Sequence, residues 1–443
     1  MGFMKAVALL ACVALCSASY SAKATDATRT LAQLQHTALR GEDGAPAGAT
    51  AMAQTEDGWL WLSTPAGLYR YDGFSFEKVP LLPPMSNETN ATWSLFAAPG
   101  GDLWVGLANG GVARLRHGAV TLYDQADGLP HGVVVLGMRS ASDGAIWGVT
   151  EVGLFRFDGV RWRHVDVSWG VPDRPKQLFD DGRGGLWIGA PAGFYRLAPH
   201  ARHFERIELS PHGGGMLLRG PQGRIVVIDH GGGQVRLAEG DWGKPHAVDQ
   251  ERRANSDTVT FDRDGNLWTV ACAADLCRGS WQDVQREGMH GFDASVPQTF
   301  GESAGLSSEA TMTLMEDRDG DVWVSTKMGV DRFRDSWLAR VRFPSTESYF
   351  ALVEDGDGRV FTGTSARSVH MDRLWALTPD PVALSGFGGA VVSAFRDTDG
   401  TVWLGGTGKL WRMRDGRPVA VDLPRGAAAV SYTHLTLPTN REV

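Results

Sequence analysis

The chain has 443 residues and a formal net charge of −8, with 51 Asp and Glu against 43 Lys and Arg. This balance lacks the basic surface on which nucleic-acid binding depends, so we expect no nucleic-acid partner. Fifty-six glycines and 16 tryptophans indicate many tight turns and a repeated structural use for a large aromatic side chain.

Residues 1–24 have the organisation of a secretory signal peptide. A short basic start precedes the apolar segment "AVALLACVALCSA", and Ala22-Lys23-Ala24 fits a small-x-small cleavage site. The apolar segment is short for a membrane span, although an uncleaved anchor is the alternative. We therefore predict export to the periplasm and find no other transmembrane candidate.

From residue 54 onward the chain repeats one sequence pattern, which we call the phrase. It is written "QTEDGWLWLSTPAGLYRYDG" at 54–73 and "EDRDGDVWVSTKMGVDRFR" at 316–334. Asp-Gly between apolar runs is a strong hairpin signal, because a type I′ turn needs positive φ at both central residues. Each phrase thus predicts strand, tight turn, strand, short loop, strand, turn and strand.

The phrases align on a tryptophan that follows the first turn. The tryptophans in this position are Trp61, Trp104, Trp147, Trp187, Trp268, Trp323 and Trp403, and two weaker copies place Val226 and Phe361 there. A period near 40 residues with four strands per unit predicts an all-β β-propeller of four-stranded antiparallel blades. We expect each tryptophan to fill the space between neighbouring blades.

Other recurrent residues also have structural explanations. An arginine recurs on the third strand, at Arg70, Arg156, Arg196 and Arg332, and we expect it to donate hydrogen bonds between blades. The Asp-rich turns, such as 317–321, lack the spacing and closing Glu of a calcium loop, so we expect no metal and no cofactor. Cys272 and Cys277 would pair as a disulfide in an oxidising periplasm.

Residues 316–333 resemble the two-component regulator propeller repeat. The lead-ins "DQADGLPHGVVVLGM" (124–138) and "ESAGLSSEATMTLMED" (302–317) resemble it too. The resemblance implies a periplasmic sensor whose full-length form has two seven-bladed propellers, an immunoglobulin-like module, a membrane helix and a cytoplasmic histidine kinase or diguanylate cyclase. The chain departs from that pattern, since it shows nine repeats and no kinase or cyclase motif.

The end of the chain leads to an expectation about its completeness. Residues 430–443, "VSYTHLTLPTNREV", do not continue the repeat. They are interpreted as a non-native tail, with a genuine polar tail as the alternative. We therefore expect an N-terminal fragment of a longer protein. Residues 30–343 would form a seven-bladed propeller, and residues 344–429 the first blades of a second, incomplete one.

The variable loops opposite the Asp-Gly turns are the best candidates for recognition, because variable loops on a rigid scaffold commonly bind ligands. The polar side chains expected there are Asn109, His131, Glu151, Asp275 and Lys327. The predicted ligand is a small molecule of unknown identity, with an oligosaccharide as the family-level expectation. His131 and Glu151 are the best candidates for a catalytic pair.

These residues support three functional hypotheses. The first is a non-catalytic, ligand-sensing region of a periplasmic signalling protein. That protein would be anchored in the inner membrane by a downstream helix and would be a homodimer at full length. The second hypothesis is a secreted propeller enzyme, such as a polysaccharide lyase or glycosidase. The third is a scaffold that binds other proteins.

Overall fold

The computed structural model describes residues 31–81, 91–209, 214–229, 235–238, 259–270, 276–282, 298–335, 341, 343, 350–363, 374–377, 381–384, 390–406, 409–414 and 416–423. The predicted signal peptide and the predicted tail lie outside these residues. The chain divides into two compact units, Met1–Leu338 and Ala339–Val443. The domain boundaries at 30, 343 and 429 stay predictions.

The described part of the first unit contains seven antiparallel sheets, numbered here in chain order by their first strands. Sheet 1 consists of β2 (Ala51–Gln54), β3 (Leu60–Thr64), β4 (Gly67–Tyr71) and β5 (Phe76–Val79). Sheet 2 consists of β6 (Thr92–Ala97), β7 (Leu103–Leu107), β8 (Val112–Arg116) and β9 (Ala119–Tyr123). Sheet 3 consists of β10 (Val135–Ser140), β11 (Ile146–Thr150), β12 (Gly153–Phe157) and β13 (Trp162–His164).

The remaining sheets of this unit follow the same order. Sheet 4 consists of β14 (Gln177–Asp180), β15 (Leu186–Ala190), β16 (Gly193–Leu197) and β17 (Phe204–Ile207). Sheet 5 contains β18 (Gly215–Arg219), β19 (Ile225–Asp229) and β20 (Val235–Leu237). Sheet 6 consists of β21 (Val259–Phe261), β22 (Asn266–Thr269), β23 (Leu276–Ser280) and β24 (Thr299–Phe300). Sheet 7 contains β25 (Thr311–Glu316), β26 (Val322–Thr326), β27 (Gly329–Arg334) and the N-terminal strand β1 (Gln35–Arg40).

The second unit has two described sheets. Sheet 8 consists of β28 (Ala351–Glu354), β29 (Val360–Gly363), β30 (Leu374–Leu377) and β31 (Pro381–Ala383). Sheet 9 consists of β32 (Ser393–Arg396), β33 (Val402–Gly406), β34 (Lys409–Arg414) and β35 (Arg417–Val421). Short 3-10 helices occupy Leu31–Gln33, Gly41–Asp43, Gln125–Asp127, Val167–Trp169, Pro221–Gly223 and Glu302–Ala304.

The first strands of sheets 1 to 7 contact one another in a closed cycle, where the first strand of sheet 7 is β25 and that of every other sheet is its earliest strand. β2 contacts β6, β6 contacts β10, and the contacts continue through β14, β18, β21 and β25 back to β2. Four-stranded antiparallel sheets arranged around a common centre are the architecture of a β-propeller. The chain is therefore an all-β propeller, as the repeat predicts.

The first unit closes through pairing between its two ends. β1 runs antiparallel to β27, with Gln35 opposite Arg334 and Arg40 opposite Gly329. Next to this seam, the buried carboxylate of Asp331 lies 2.7 Å from Nε2 of His36 and accepts hydrogen bonds from the hydroxyl and amide of Ser307. A strand and a polar cluster from distant parts of the chain thus complete sheet 7.

The hydrophobic core lies between neighbouring sheets, and the repeated tryptophans are part of it. Trp61 packs with Leu103 and Val105 of sheet 2, and Trp323 packs with Leu60 of sheet 1. The six tryptophans of the first unit that align on the repeat are at most 6% exposed, whereas Trp403 in sheet 9 is half-buried. Burial of such large apolar surfaces supplies most of the driving force for packing the sheets.

Candidate functional site

The first strands of sheets 1 to 7 enclose a central channel with a cavity of about 460 Å³. Residues from all seven of these sheets line it, including Met52, Phe96, Gly137 and Thr313. Cavities of this size are large enough for a small organic ligand. The central channel is therefore the candidate ligand site.

The two faces of the propeller differ in the connections that they carry. Because neighbouring strands are antiparallel, the turn between the first and second strands lies at the face opposite the loop between the second and third. The connection from one sheet to the next also lies at this second face, which we call the crossover face. The described loops that carry Asn109, His131, Glu151 and Lys327 therefore lie at the crossover face.

Asn109 and His131 lie close together on the crossover face. Asn109 is in the loop between β7 and β8, and its carbonyl accepts a hydrogen bond of 2.7 Å from the amide of Gly132. Gly110 in the same loop has a φ of 96°, and a Cβ there would lie 2.1 Å from the carbonyl oxygen of Pro130. The close approach of these two loops depends on a glycine.

Glu151 is not joined to His131 by a hydrogen bond or an ion pair in the described part of the chain. It lies in the turn between β11 and β12, and its Oε1 is 2.7 Å from Nζ of Lys176, which precedes β14. The ammonium group of Lys176 lowers the pKa of Glu151 below its usual value. Glu151 is thus paired with Lys176 and does not contact the side chain of His131 in the described part of the chain.

The other predicted ligand residues are separate from these. Lys327 is exposed in the turn between β26 and β27, and its amide donates to the carbonyl of Ala310. Asp275 lies outside the described residues, as does Cys272. Cys277 is buried and disulfide-bonded, and its pairing with Cys272 stays a prediction.

The prediction that the repeated arginines donate hydrogen bonds between sheets is wrong for Arg70, Arg156, Arg196 and Arg332. Arg70 pairs with Glu77, Arg156 with Asp143, Arg196 with Asp181 and Arg332 with Asp321, in each case within one sheet. Residues of the Asp-rich turns do form bonds between sheets. The Arg318 amide donates to Gln54 Oε1 at 2.8 Å, and Arg263 Nε donates to Glu316 Oε1 at 2.9 Å. In sheets 3, 4 and 7 the arginine reaches a carboxylate of the first hairpin turn, whereas Arg70 meets Glu77 opposite it on β5.

The channel has a cationic lining that the sequence analysis did not identify. Among the described residues that line it, Arg139, Lys176 and Arg219 are basic and Asp180 is the one acid. Lys176 is paired with Glu151 at 2.7 Å, and Nη2 of Arg219 lies 3.8 Å from the carboxylate of Asp180. Trp93 also lines it, and its side chain belongs to the exposed large apolar groups, with 42% of the residue accessible. An excess of basic over acidic side chains along a low-dielectric channel favours ligands of negative charge.

A sequence signal for these channel residues exists. Each lies on or beside the first strand of a repeat, and that strand is innermost in a propeller. Trp93 lies 11 residues before the repeated tryptophan position of its own repeat. It is therefore outside the segment that recurs from repeat to repeat. A basic or aromatic residue on a first strand therefore indicates a lining residue of the channel.

The comparisons with known proteins agree with this fold. The two-component regulator propeller profile matches residues 305–328. Those residues are a two-component regulator propeller repeat. They include Gly305 and Leu306, which precede β25, and the whole hairpin formed by β25 and β26. No curated protein matches the chain.

Solved propellers provide the structural comparison. The extracellular domain of a B. thetaiotaomicron protein described as a hybrid two-component system is similar with a TM-score of 0.61 and 16% identity, over 86% of this chain and 53% of that one. A second such domain from B. thetaiotaomicron gives a TM-score of 0.50 at 16% identity, over 86% of this chain and 52% of that one. A streptogramin B lyase gives a TM-score of 0.50 at 14% identity, over 70% of this chain and 99% of that one.

These similarities establish the fold. The chain spans about half the length of the two-component domains that it matches. Within the residues that the structure describes, no helix has the length and apolar character of a membrane span. The same residues contain no cluster of three or more His, Cys, Asp or Glu side chains suited to a metal ion.

Proposed function

We propose that this chain is the periplasmic ligand-binding region of a transmembrane signalling protein, either a two-component histidine kinase or a diguanylate cyclase. Support comes from the regulator propeller repeat and from the likeness to extracellular domains of hybrid two-component systems. In this proposal the region is not itself catalytic. Ligand binding favours one arrangement of a full-length homodimer, and a membrane helix transmits that difference inward.

We further propose that the ligand is a small anionic molecule, in particular an acidic oligosaccharide, that enters the central channel. The observation that carries this proposal is the cationic lining of the channel within a chain whose net charge is negative. The exposed indole of Trp93 provides a flat apolar surface for a sugar ring. Lys176 lies at the crossover face, where a ligand carboxylate would compete with Glu151 for its ammonium group.

The test is calorimetric titration of digalacturonate into the protein, with lactose as the neutral probe. We expect digalacturonate to bind and both Trp93→Ala and Lys176→Gln to weaken it by about tenfold or more, since each removes a contact worth about 1.4 kcal/mol. The control is Lys78→Gln, because Lys78 is exposed on the outer strand β5 and does not line the channel. Equal affinity for the two sugars, or an effect of Lys78→Gln as large as that of Lys176→Gln, contradicts the proposal.

The same samples distinguish a binding region from an enzyme. Mass spectrometry after prolonged incubation with digalacturonate should show the intact sugar alone. A cleaved or unsaturated product that disappears in the channel variants would identify the propeller as a lyase or glycosidase.

A further inference from the structure

The acceptor for the repeated tryptophan differs between sheets. In sheets 1, 4, 6 and 7 the indole N–H donates to the residue six positions earlier, with distances of 2.8, 3.2, 2.8 and 2.8 Å to Thr55, Asp181, Asp262 and Asp317. In sheets 2 and 3 that position is Ala98 and Ala141. The buried Nε1 atoms of Trp104 and Trp147 accordingly have no hydrogen-bond partner among the described residues.

Trp147 also lines a second cavity, which we call the sheet 3–4 cavity. It has a volume of about 420 Å³ and shares no lining residue with the central channel. Ala141 lines it beside Trp147, and Leu186, Leu197 and Trp169 provide apolar walls. The rings of Trp147 and Trp169 meet edge to face with centroids 5.7 Å apart.

The polar groups around this cavity are mainly donors. Asp143 is its one carboxylate, and it already accepts from Arg156 at 2.7 Å and from the amide of Ala145 at 3.0 Å. Arg202 and His200 also line the cavity, and no hydrogen bond or ion pair joins their exposed side chains to another residue in the described part of the chain. A buried donor without an acceptor is costly, so a ligand that supplies an acceptor gains the hydrogen bond that the protein lacks.

We propose that the sheet 3–4 cavity binds a small organic carboxylate with a flat apolar body. Its carboxylate replaces the Asp side chain that sheets 4, 6 and 7 supply and that Ala141 omits, and its apolar body packs against Trp169, Leu186 and Leu197. The Nε1 atom of Trp147 is closed to solvent in this structure, so lining side chains must move for the ligand oxygen to reach it. The proposal is independent of ligand binding in the central channel.

The test uses the whole chain labelled with ¹⁵N at tryptophan. Benzoate and phenylacetate are titrated while the indole N–H resonances are followed, and the Trp147 signal is assigned by its loss in Trp147→Phe. We expect one or both acids to shift this resonance with a Kd of about 1 mM or tighter. Benzamide, which has the same shape without the charge, should bind at least about tenfold more weakly.

Two matched variants connect binding to the missing carboxylate. Ala141→Asp restores the internal acceptor and should abolish the benzoate shift, whereas Ala98→Asp makes the same change in sheet 2 and should leave it unchanged. If Ala141→Asp does not fold, Trp147→Phe should weaken calorimetric binding by about tenfold, because it removes the donor and keeps an aromatic ring. The proposal is overturned if neither acid shifts Trp147, if benzamide binds equally well, or if Ala141→Asp binds like the unmodified chain.

Discussion

Asp317 shows how a single carboxylate organises a hairpin turn. It accepts from the amides of Asp319 and Asp321 at 2.9 Å each and from the indole N–H of Trp323 at 2.8 Å. The calcium-loop appearance of this sequence therefore has a structural explanation, since the carboxylate oxygens are occupied by N–H donors. The same arrangement recurs at Asp262 with Trp268.

Replacing Asp317 by Ala should therefore destabilise the protein strongly. The change leaves the buried indole N–H of Trp323 and two turn amides without their acceptor, at a cost of about 2 to 3 kcal/mol in the free energy of unfolding. Asp319→Ala in the same turn is the control, because its side chain is exposed and its removal should cost less than about 0.5 kcal/mol. Urea denaturation of both variants measures the difference, and equal losses would show that the Asp317 carboxylate has no such role.

At the scale of elements, the pairing of β1 with β27 requires a glycine at residue 329. Gly329 has a φ of 156°, and a Cβ there would lie 2.1 Å from the carbonyl oxygen of Leu39 in β1. Gly193 occupies the equivalent turn of sheet 4 with a φ of 131°, where the nearest atom to such a Cβ is 3.5 Å away on the Arg206 side chain. The two glycines thus share backbone strain but differ in what an added methyl group would meet.

This difference makes Gly329→Ala and Gly193→Ala a matched pair. Both should cost about 1 to 3 kcal/mol through their positive φ. Gly329→Ala should cost distinctly more, because β1 must move away from β27. Urea denaturation gives the free energies, and limited proteolysis should release the N-terminal strand only in Gly329→Ala. Indistinguishable stability and proteolysis of the two variants would refute this account of closure.

At the scale of the whole molecule, the closed cycle of first strands is complete within the first compact unit. Every one of these seven sheets has a neighbouring sheet on both sides, so its apolar surface is covered without residues beyond 338. The first unit therefore has what an independently folding domain requires.

A chain that ends at Leu338 should consequently fold by itself. We expect one cooperative thermal transition and an elution volume typical of a compact monomer. A chain that ends at Phe300 is the control, since it lacks β25 to β27 and leaves β1 without its partner. It should aggregate or unfold without cooperativity. Failure of the longer chain to fold, with the full chain folded under the same conditions, would show that the second unit is needed.

The amino-acid sequence by itself determined the local structure of this protein. Strand, Asp-Gly turn and tryptophan recur within about 40 residues, so hairpin pairing and the buried aromatic positions follow from short-range patterns. The all-β propeller fold was predictable for this reason. The positive φ angles of Gly67, Gly153, Gly193 and Gly329 also correspond to turns visible in the sequence.

The tertiary structure decided what depends on distant contacts. His36 and Asp331 are 295 positions apart, and no local pattern indicates that β1 completes sheet 7. The channel lining combines one strand from each of seven sheets, so neither its cationic side chains nor the place of Trp93 was evident from loop composition. The unpartnered Trp147 next to a cavity follows from a single Ala at position 141, and its consequence depends on how sheets 3 and 4 pack together.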